Sequence, residues 1–179
     1  MEFRVSDITQ AGVRLDEPLD IQWLSGVLQG DFPTPFKPLS SSHVTGRLRR
    51  VGDQVVVEAS CKISLQAPCS SCLENFDLEL PVDFLVNVRP APTHARQLPT
   101  ELELASEDMD EVFYHDGILN LREILREQII LALPMFPKCS EDCRGLCPEC
   151  GVNLNKEQCG CRVGNVDPRW LALKSFKTT

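Results

Sequence analysis

Residues 55–88 read VVVEASCKISLQAPCSSCLENFDLELPVDFLVNV. In the first half, Val55, Val57, Ala59, Cys61, Ile63 and Leu65 alternate with Val56, Glu58, Ser60, Lys62, Ser64 and Gln66. A strand turns successive side chains to opposite faces, so this alternation predicts a half-buried strand with its apolar face on odd numbers. In the second half, Phe76, Leu78, Leu80, Val82, Phe84, Val86 and Val88 take the even numbers, among mostly polar neighbours. They predict a second long strand. Pro81 inside it has no amide hydrogen to give a ladder and predicts a sheet edge or a bulge. Upstream, His43 to Val51 predicts a third strand, joined to the next by a tight turn at Gly52-Asp53. The three make an antiparallel β-meander with one face to be covered.

The segment best suited to cover that face is a helix over Leu121–Leu133. Asn120 caps its start, with Glu123 three residues on as in a capping box, and Pro134 and Pro137 end it. Leu121, Ile124, Leu125, Gln128 and Leu131 are expected on one side, with Ile129 and Ile130 widening the apolar surface. Nearer the start, Phe3–Ile8 predicts a short strand followed by a turn. Leu19, Trp23 and Val27 recur every four residues and predict a short helix over Pro18–Leu28. Pro33, Pro35 and Pro38 make Asp31–Ser42 a loop or extended connector. The expected fold is therefore α+β: a meander packed on one main helix over residues 1–137, then a cysteine-rich tail over 138–179. Asp167 and Pro168 open a last short helix, which Trp170, Leu173 and Phe176 tie down.

The tail carries the chemistry. Six of the nine cysteines fall in the 23 residues from Cys139 to Cys161, CSEDCRGLCPECGVNLNKEQCGC. Cys147-Pro-Glu-Cys150-Gly151 is a knuckle, in which two thiolates can grip one metal ion. Cys159-Gly-Cys161 supplies two more after eight residues. Four cysteines make a closed tetrahedral site, hence a structural one, suited to zinc. A further pair, Cys69-Ser-Ser-Cys72, sits at the hairpin tip between the two long strands, and Cys139 and Cys143 follow the helix. This predicts two Zn²⁺ ions: Cys69, Cys72, Cys139 and Cys143 around one, Cys147, Cys150, Cys159 and Cys161 around the other. Two alternatives stay open at this level. Cys69 and Cys72 can be a redox dithiol, although such pairs usually sit at a helix N-terminus. A single zinc can use Cys143, Cys147, Cys150 and one of Cys159 or Cys161. Cys61, on the apolar face of its strand, is a small core residue.

Composition narrows the function classes. The net charge of −8 argues against free-standing, non-specific nucleic-acid binding. Residues 1–137 carry 11 basic and 21 acidic side chains, and residues 138–179 carry 7 and 5. Four thiolates around each Zn²⁺ leave −2 per site, so even the tail is not strongly basic. The seven carboxylates from Glu101 to Asp116 form a solvated loop or a docking surface for a basic partner. No apolar run has the length of a membrane span, and the start lacks the pattern of a signal peptide, so a cytoplasmic protein with reduced thiols is expected. His43, His94 and His115 are scattered, and no phosphate loop, nucleophile elbow or carboxylate pair occurs; no catalytic residue and no small-molecule substrate are expected. Arg47, Arg49 and Arg50 form a short basic stripe, a solvent-facing surface or a contact edge.

Taken together, Cys69-Ser-Ser-Cys72, the stretch EQIILALP ending at Pro134, the GLCPECGVNLN segment within Cys139–Cys161, and Asp167-Pro168-Arg169 resemble the YceD family. These are the large ribosomal RNA subunit accumulation proteins of bacteria and plastids. The resemblance runs from about Val44 to Phe176. Some members keep only the hairpin pair and a Cys or His pair after the helix, which fits the two-site partition. The family's genes often neighbour that of a small zinc-ribbon protein of the large subunit. The resemblance implies ribosome biogenesis and no enzymatic activity, with a ribosomal protein or an rRNA precursor of the large subunit as partner. Its competitor is a thiol-redox or zinc-responsive protein switching through Cys69 and Cys72.

Overall fold

The computed structural model describes residues 1–30, 33–91 and 112–161. The expected terminal helix and most of the acidic run lie outside them. In chain order the elements are β1 (Glu2–Arg4), β2 (Val13–Leu19), α1 (Ile21–Gln29), β3 (Lys37–Pro38), β4 (Ser42–Val51), β5 (Gln54–Pro68), β6 (Asn75–Pro90), β7 (Val112–Tyr114), β8 (Ile118–Asn120) and α2 (Leu121–Ala132). The fold is α+β, with a mixed sheet and two helices. The chain clusters into two compact units. One comprises Met1–Ala67 and Phe76–Met135; the other comprises Pro68–Asn75 and the chain from Phe136.

The first unit is built on the long strands. Val51 pairs with Gln54, so Gly52-Asp53 is a two-residue turn, and Gly52 supplies the positive φ of +63° that such a turn needs. β4 and β5 run antiparallel, Val44 opposite Cys61. On β5 the odd residues from Val55 to Leu65 are buried, as their alternation requires. β6 lies beside β5; on the outer face Ser64 meets Glu79 at 2.6 Å and Gln66 meets Asp77 at 3.3 Å. Partner numbers fall on one strand as they rise on the other, the mark of an antiparallel pair. Over most of its length β6 has no neighbour on its far side among the described residues, which is where a strand proline such as Pro81 is admissible.

Several expectations are corrected. The sheet is mixed rather than a pure antiparallel meander, because β7 joins the end of β6 in parallel, Val88 opposite Val112. Its flanks also grow: β2 pairs antiparallel with β4 along its whole length, and β3 pairs with β5. The strand expected at Phe3–Ile8 is only Glu2–Arg4, paired with β8 and followed by a 3-10 turn. The helix expected from Pro18 starts at Ile21, where the Asp20 side chain accepts from the Trp23 amide at 2.7 Å.

Two helices, not one, join the covered face to the core. Leu24, Val27 and Leu28 of α1 and Leu121, Ile124, Leu125 and Ile129 of α2 belong to one buried cluster with the strand residues. The reason is width. Five strands at about 4.8 Å spacing span roughly 20 Å, twice the diameter of a helix. On α2, Leu121, Ile124 and Leu125 are buried as expected, and so is Ile129 of the widened surface, but Leu131 is 76% exposed. Leu131 lies within about 20° of buried Ile124 round the helix, so its exposure reflects its place in the last turn of α2 rather than its direction. Asn120 caps α2 as expected, accepting from the Arg122 amide and donating to Glu123. No helix among the described residues is long and apolar enough to cross a membrane.

Cys61 lies in this core, 7% exposed, and burial, with the Asp83 carboxylate, pushes its thiol up to about 11. Cys61→Ala should cost about 1 kcal/mol for a small cavity and leave metal content unchanged. Denaturant melts paired with elemental analysis check this; loss of a metal equivalent would give Cys61 a ligand role.

Candidate metal centre

The second unit contains all eight of the other cysteines. At the hairpin tip the Cys69 amide donates to the Glu74 carbonyl at 2.8 Å, and the Leu73 amide donates to the Cys69 carbonyl at 2.9 Å. Around the second CxxC the same two bonds recur: Cys147 N–H to Val152 O and Gly151 N–H to Cys147 O, both 2.8 Å. The residue after each second cysteine is left-handed, φ +62° at Leu73 and +74° at Gly151. The two CxxC segments therefore fold as the same knuckle. Gly151 announces it in the sequence; Leu73, which must strain to adopt that φ, conceals it.

Each knuckle meets a second pair of sulfurs. Cys69, Cys72, Cys139 and Cys143 form one set, and Cys147, Cys150, Cys159 and Cys161 the other. Within each set the sulfurs all lie within 4.8 Å of one another. In the first, Cys69 and Cys143 are 3.8 Å apart and Cys72 and Cys139 are 3.7 Å apart. Four sulfurs about 2.3 Å from a central ion stand roughly 3.8 Å from each other, so these edges fit a tetrahedral ion. Both groups can hold a metal ion.

The backbone is arranged for thiolates. The amides of Ser71 and Cys139 both point at Cys69 Sγ, at 3.4 Å. Burial alone would raise the Cys69 thiol, but the backbone amides of Cys139, Cys72 and Ser71 bring it down to about 6. The amides of Cys150 and Glu149 bring Cys147 down to about 7. In the opposite sense, the Cys143 sulfur and burial push Cys139 up to about 12, and the Cys150 sulfur and burial do the same to Cys161. Each set thus combines a sulfur whose thiolate the backbone favours with one whose protonated form its neighbours favour.

Around the sulfurs are residues that sequence reasoning missed. Asn155 Oδ1 accepts from the Arg144 amide at 2.8 Å, and its Nδ2 donates to Cys143 Sγ at 3.4 Å. Asn153 Oδ1 accepts from the Asn155 amide and side chain, each at 3.0 Å. Lys156 Nζ meets Glu74 at 2.9 Å. Nothing but the short Asn-Leu-Asn stretch after Gly151 hints at these roles, and its partners become visible only once the loop is folded.

The other candidates lie elsewhere. His43 contacts Asp16 at 3.0 Å on the exposed face of the sheet, and His115 sits in a bridge to Ile118. His94 is outside the described residues. Arg47 and Arg49 are exposed, whereas Arg50 alternates to the other face and bonds to the Gly52 carbonyl at 3.0 Å, so the three do not form one stripe.

The family described as large ribosomal RNA subunit accumulation protein YceD matches residues 57–177. Uncharacterised proteins of Mycobacterium bovis and Mycobacterium tuberculosis are each 31% identical over 127 residues, 71% of this chain and 58% of theirs. One from Mycobacterium leprae is 28% identical over 71% of this chain and 55% of its own. The chain thus spans little more than half the length of these relatives. No solved structure matches it. A match from the long β5 strand through both cysteine sets covers well over half of the sequence, and on that ground the chain belongs to the YceD family, the large ribosomal RNA subunit accumulation proteins.

Proposed function

We propose that this protein is a non-enzymatic, zinc-stabilised factor of large ribosomal subunit biogenesis, supporting 23S rRNA accumulation by holding a ribosomal protein or an rRNA precursor. The observation that carries the reading is the gathering of eight cysteines into two sets of four in a chain of this family. In each set all four donors are thiolates, a closed site that leaves no position for substrate and suits Zn²⁺. The ligands would be Cys69, Cys72, Cys139 and Cys143, and Cys147, Cys150, Cys159 and Cys161. Bound zinc supplies cross-linking, not chemistry; the binding work falls to the body, residues 1–137, and the tail, residues 138–179.

Charge favours a basic ribosomal protein as the direct partner. The body is acidic, and its outer sheet face mixes Arg14, Arg47, Arg49 and Lys62 with Asp16, Glu58, Asp77, Glu79 and Asp83. Such a face complements a cationic protein better than a phosphate backbone. In the tail, Arg144 is exposed but Lys156 is engaged by Glu74. Arg162, Lys174 and Lys177, which would favour RNA there, lie outside the described residues. A cytoplasmic location, where thiols stay reduced and available to metal, suits this reading. The redox reading has less support: Cys69 and Cys72 stand in a hairpin knuckle among four sulfurs, not as a lone pair at a helix start.

Protein purified without chelator should contain close to two zinc ions per chain. In sedimented cell extract it should migrate with large-subunit precursors, and the Cys147→Ser, Cys150→Ser variant should shift toward the free fraction. Migration wholly apart from those precursors would sink the assembly role; a metal content near zero would favour the redox reading.

A further inference from the structure

We infer that the two four-cysteine sites are coupled, each metal ion raising the affinity for the other, and that Asn155 is the positioning residue that carries the coupling to Cys143. The inference rests on the proposal that both sites hold metal.

Three ties within the second unit join the hairpin tip to the second knuckle. The Leu146 amide donates to the Ser71 carbonyl at 3.1 Å, and Gly145 packs so close that a Cβ there would stand 3.1 Å from the same oxygen. Lys156 pairs with Glu74. Asn155 reaches from the loop between Cys150 and Cys159 to a sulfur of the first set. Its amide orientation follows from its partners: turned round, the NH2 group would face the Arg144 N–H. The loop that the second ion closes therefore presents a hydrogen-bond donor to a ligand of the first.

A donor to a thiolate offsets its negative charge and holds its orientation, and groups of this kind usually matter 10–100-fold in metal affinity. With the second site empty, residues 151–158 lose their closure. Cys143 then loses its donor, and the hairpin tip loses the partners of Ser71 and Glu74. By linkage the effect is reciprocal: the first ion must favour the second by the same factor.

The bland reading is that Asn155 only knits its own loop and the sites load independently. Asn155→Asp separates the two. It keeps an acceptor for the Arg144 amide but replaces the donor to Cys143 with a negative oxygen. Zinc affinities of the full chain, measured by chelator competition, should show three things. Cys147→Ser with Cys150→Ser should weaken the first site about 10-fold or more, although none of its ligands has changed. Cys69→Ser with Cys72→Ser should weaken the second by a similar factor. Asn155→Asp, with all eight cysteines present, should weaken the first site by about the same amount and move its cadmium-113 resonance more than that of the second. Unchanged affinities in all three variants would overturn the coupling. Loss confined to the second site in Asn155→Asp would overturn the role at Cys143. Wild-type protein that binds no metal would overturn the underlying proposal instead, so the failures are distinguishable. The aspartate variant, which leaves every ligand in place, keeps the test decisive where a ligand-pair variant does not fold.

Discussion

Chelation should unfold the second unit and leave the first folded. The expectation follows from how little the second unit buries. Among residues 136–161, only Pro137, Gly145 and Cys147 are buried; Leu146, Val152 and Leu154 are half-exposed, and Phe136 is 73% exposed. Fixing each residue costs about 1–2 kcal/mol of backbone entropy, and so few apolar contacts cannot offset that. Structural zinc supplies roughly 10–16 kcal/mol in zinc-finger peptides at neutral pH, which is the scale required. The first unit needs no such help, since Leu15, Leu24, Leu48, Ile63, Leu65, Leu119 and Leu125 are almost wholly buried in it. Hydrogen exchange on chelated protein should show amides of Cys147, Gly151 and Leu154 at unprotected rates, while those of β4, β5 and α2 stay slow. Protection of the knuckle amides without metal would refute the stabilisation argument. Collapse of β4 and β5 along with it would show that the first unit also depends on the ions.

What the sequence disclosed follows the strength of each local signal. The long strands were legible because their neighbours alternate in polarity over ten residues or more, so the buried set from Val55 to Leu65 could be named outright. β2 was not, because Leu15 and Leu19 stand four apart and Pro18 looked like a helix start; its pairing with β4 is a tertiary fact. The parallel entry of β7 follows an acidic stretch with no periodicity, and a three-residue strand carries no pattern of its own. At the candidate site, cysteine spacing and the expected arrival of the helix end at the hairpin tip suggested which sulfurs could meet while leaving other partitions open, and the structure brings the eight together in two sets of four. The sameness of the two knuckles was hidden by Leu73 standing where its counterpart has Gly151. Asn155 was invisible as a partner of Cys143 because an exposed asparagine in a polar loop has a dozen ordinary explanations.

Acid should release the metal steeply, and the second unit should unfold with it. A site of four thiolates must displace every proton its thiols hold, so apparent affinity rises with pH by one power of ten for each proton displaced. Without metal the second unit is expected to unfold, so its thiols return to about the ordinary value of 8.5 and are largely protonated at pH 7.5, and each site displaces more than one proton. In the folded arrangement the backbone amides bring Cys69 to about 6 against the pull of its burial and Cys147 to about 7, which favours both thiolates once the unit has closed. The sign is thus fixed. Affinity drops as pH falls, by more than about 10-fold per unit near pH 7.5, and more steeply toward acid until every thiol of the metal-free site is protonated. With folding of the second unit coupled to binding, as proposed, its stability should be present at neutral pH and lost toward acid. Chelator competition between pH 5.5 and 8.5, with proton release recorded in weakly buffered solution, measures both slope and stoichiometry. An affinity flat across that range would mean that the bound ions are not held by four thiolates. Retention of metal at pH 5 with the knuckle amides still protected would mean that the unit holds its sulfurs together without the cost in protons that this geometry implies.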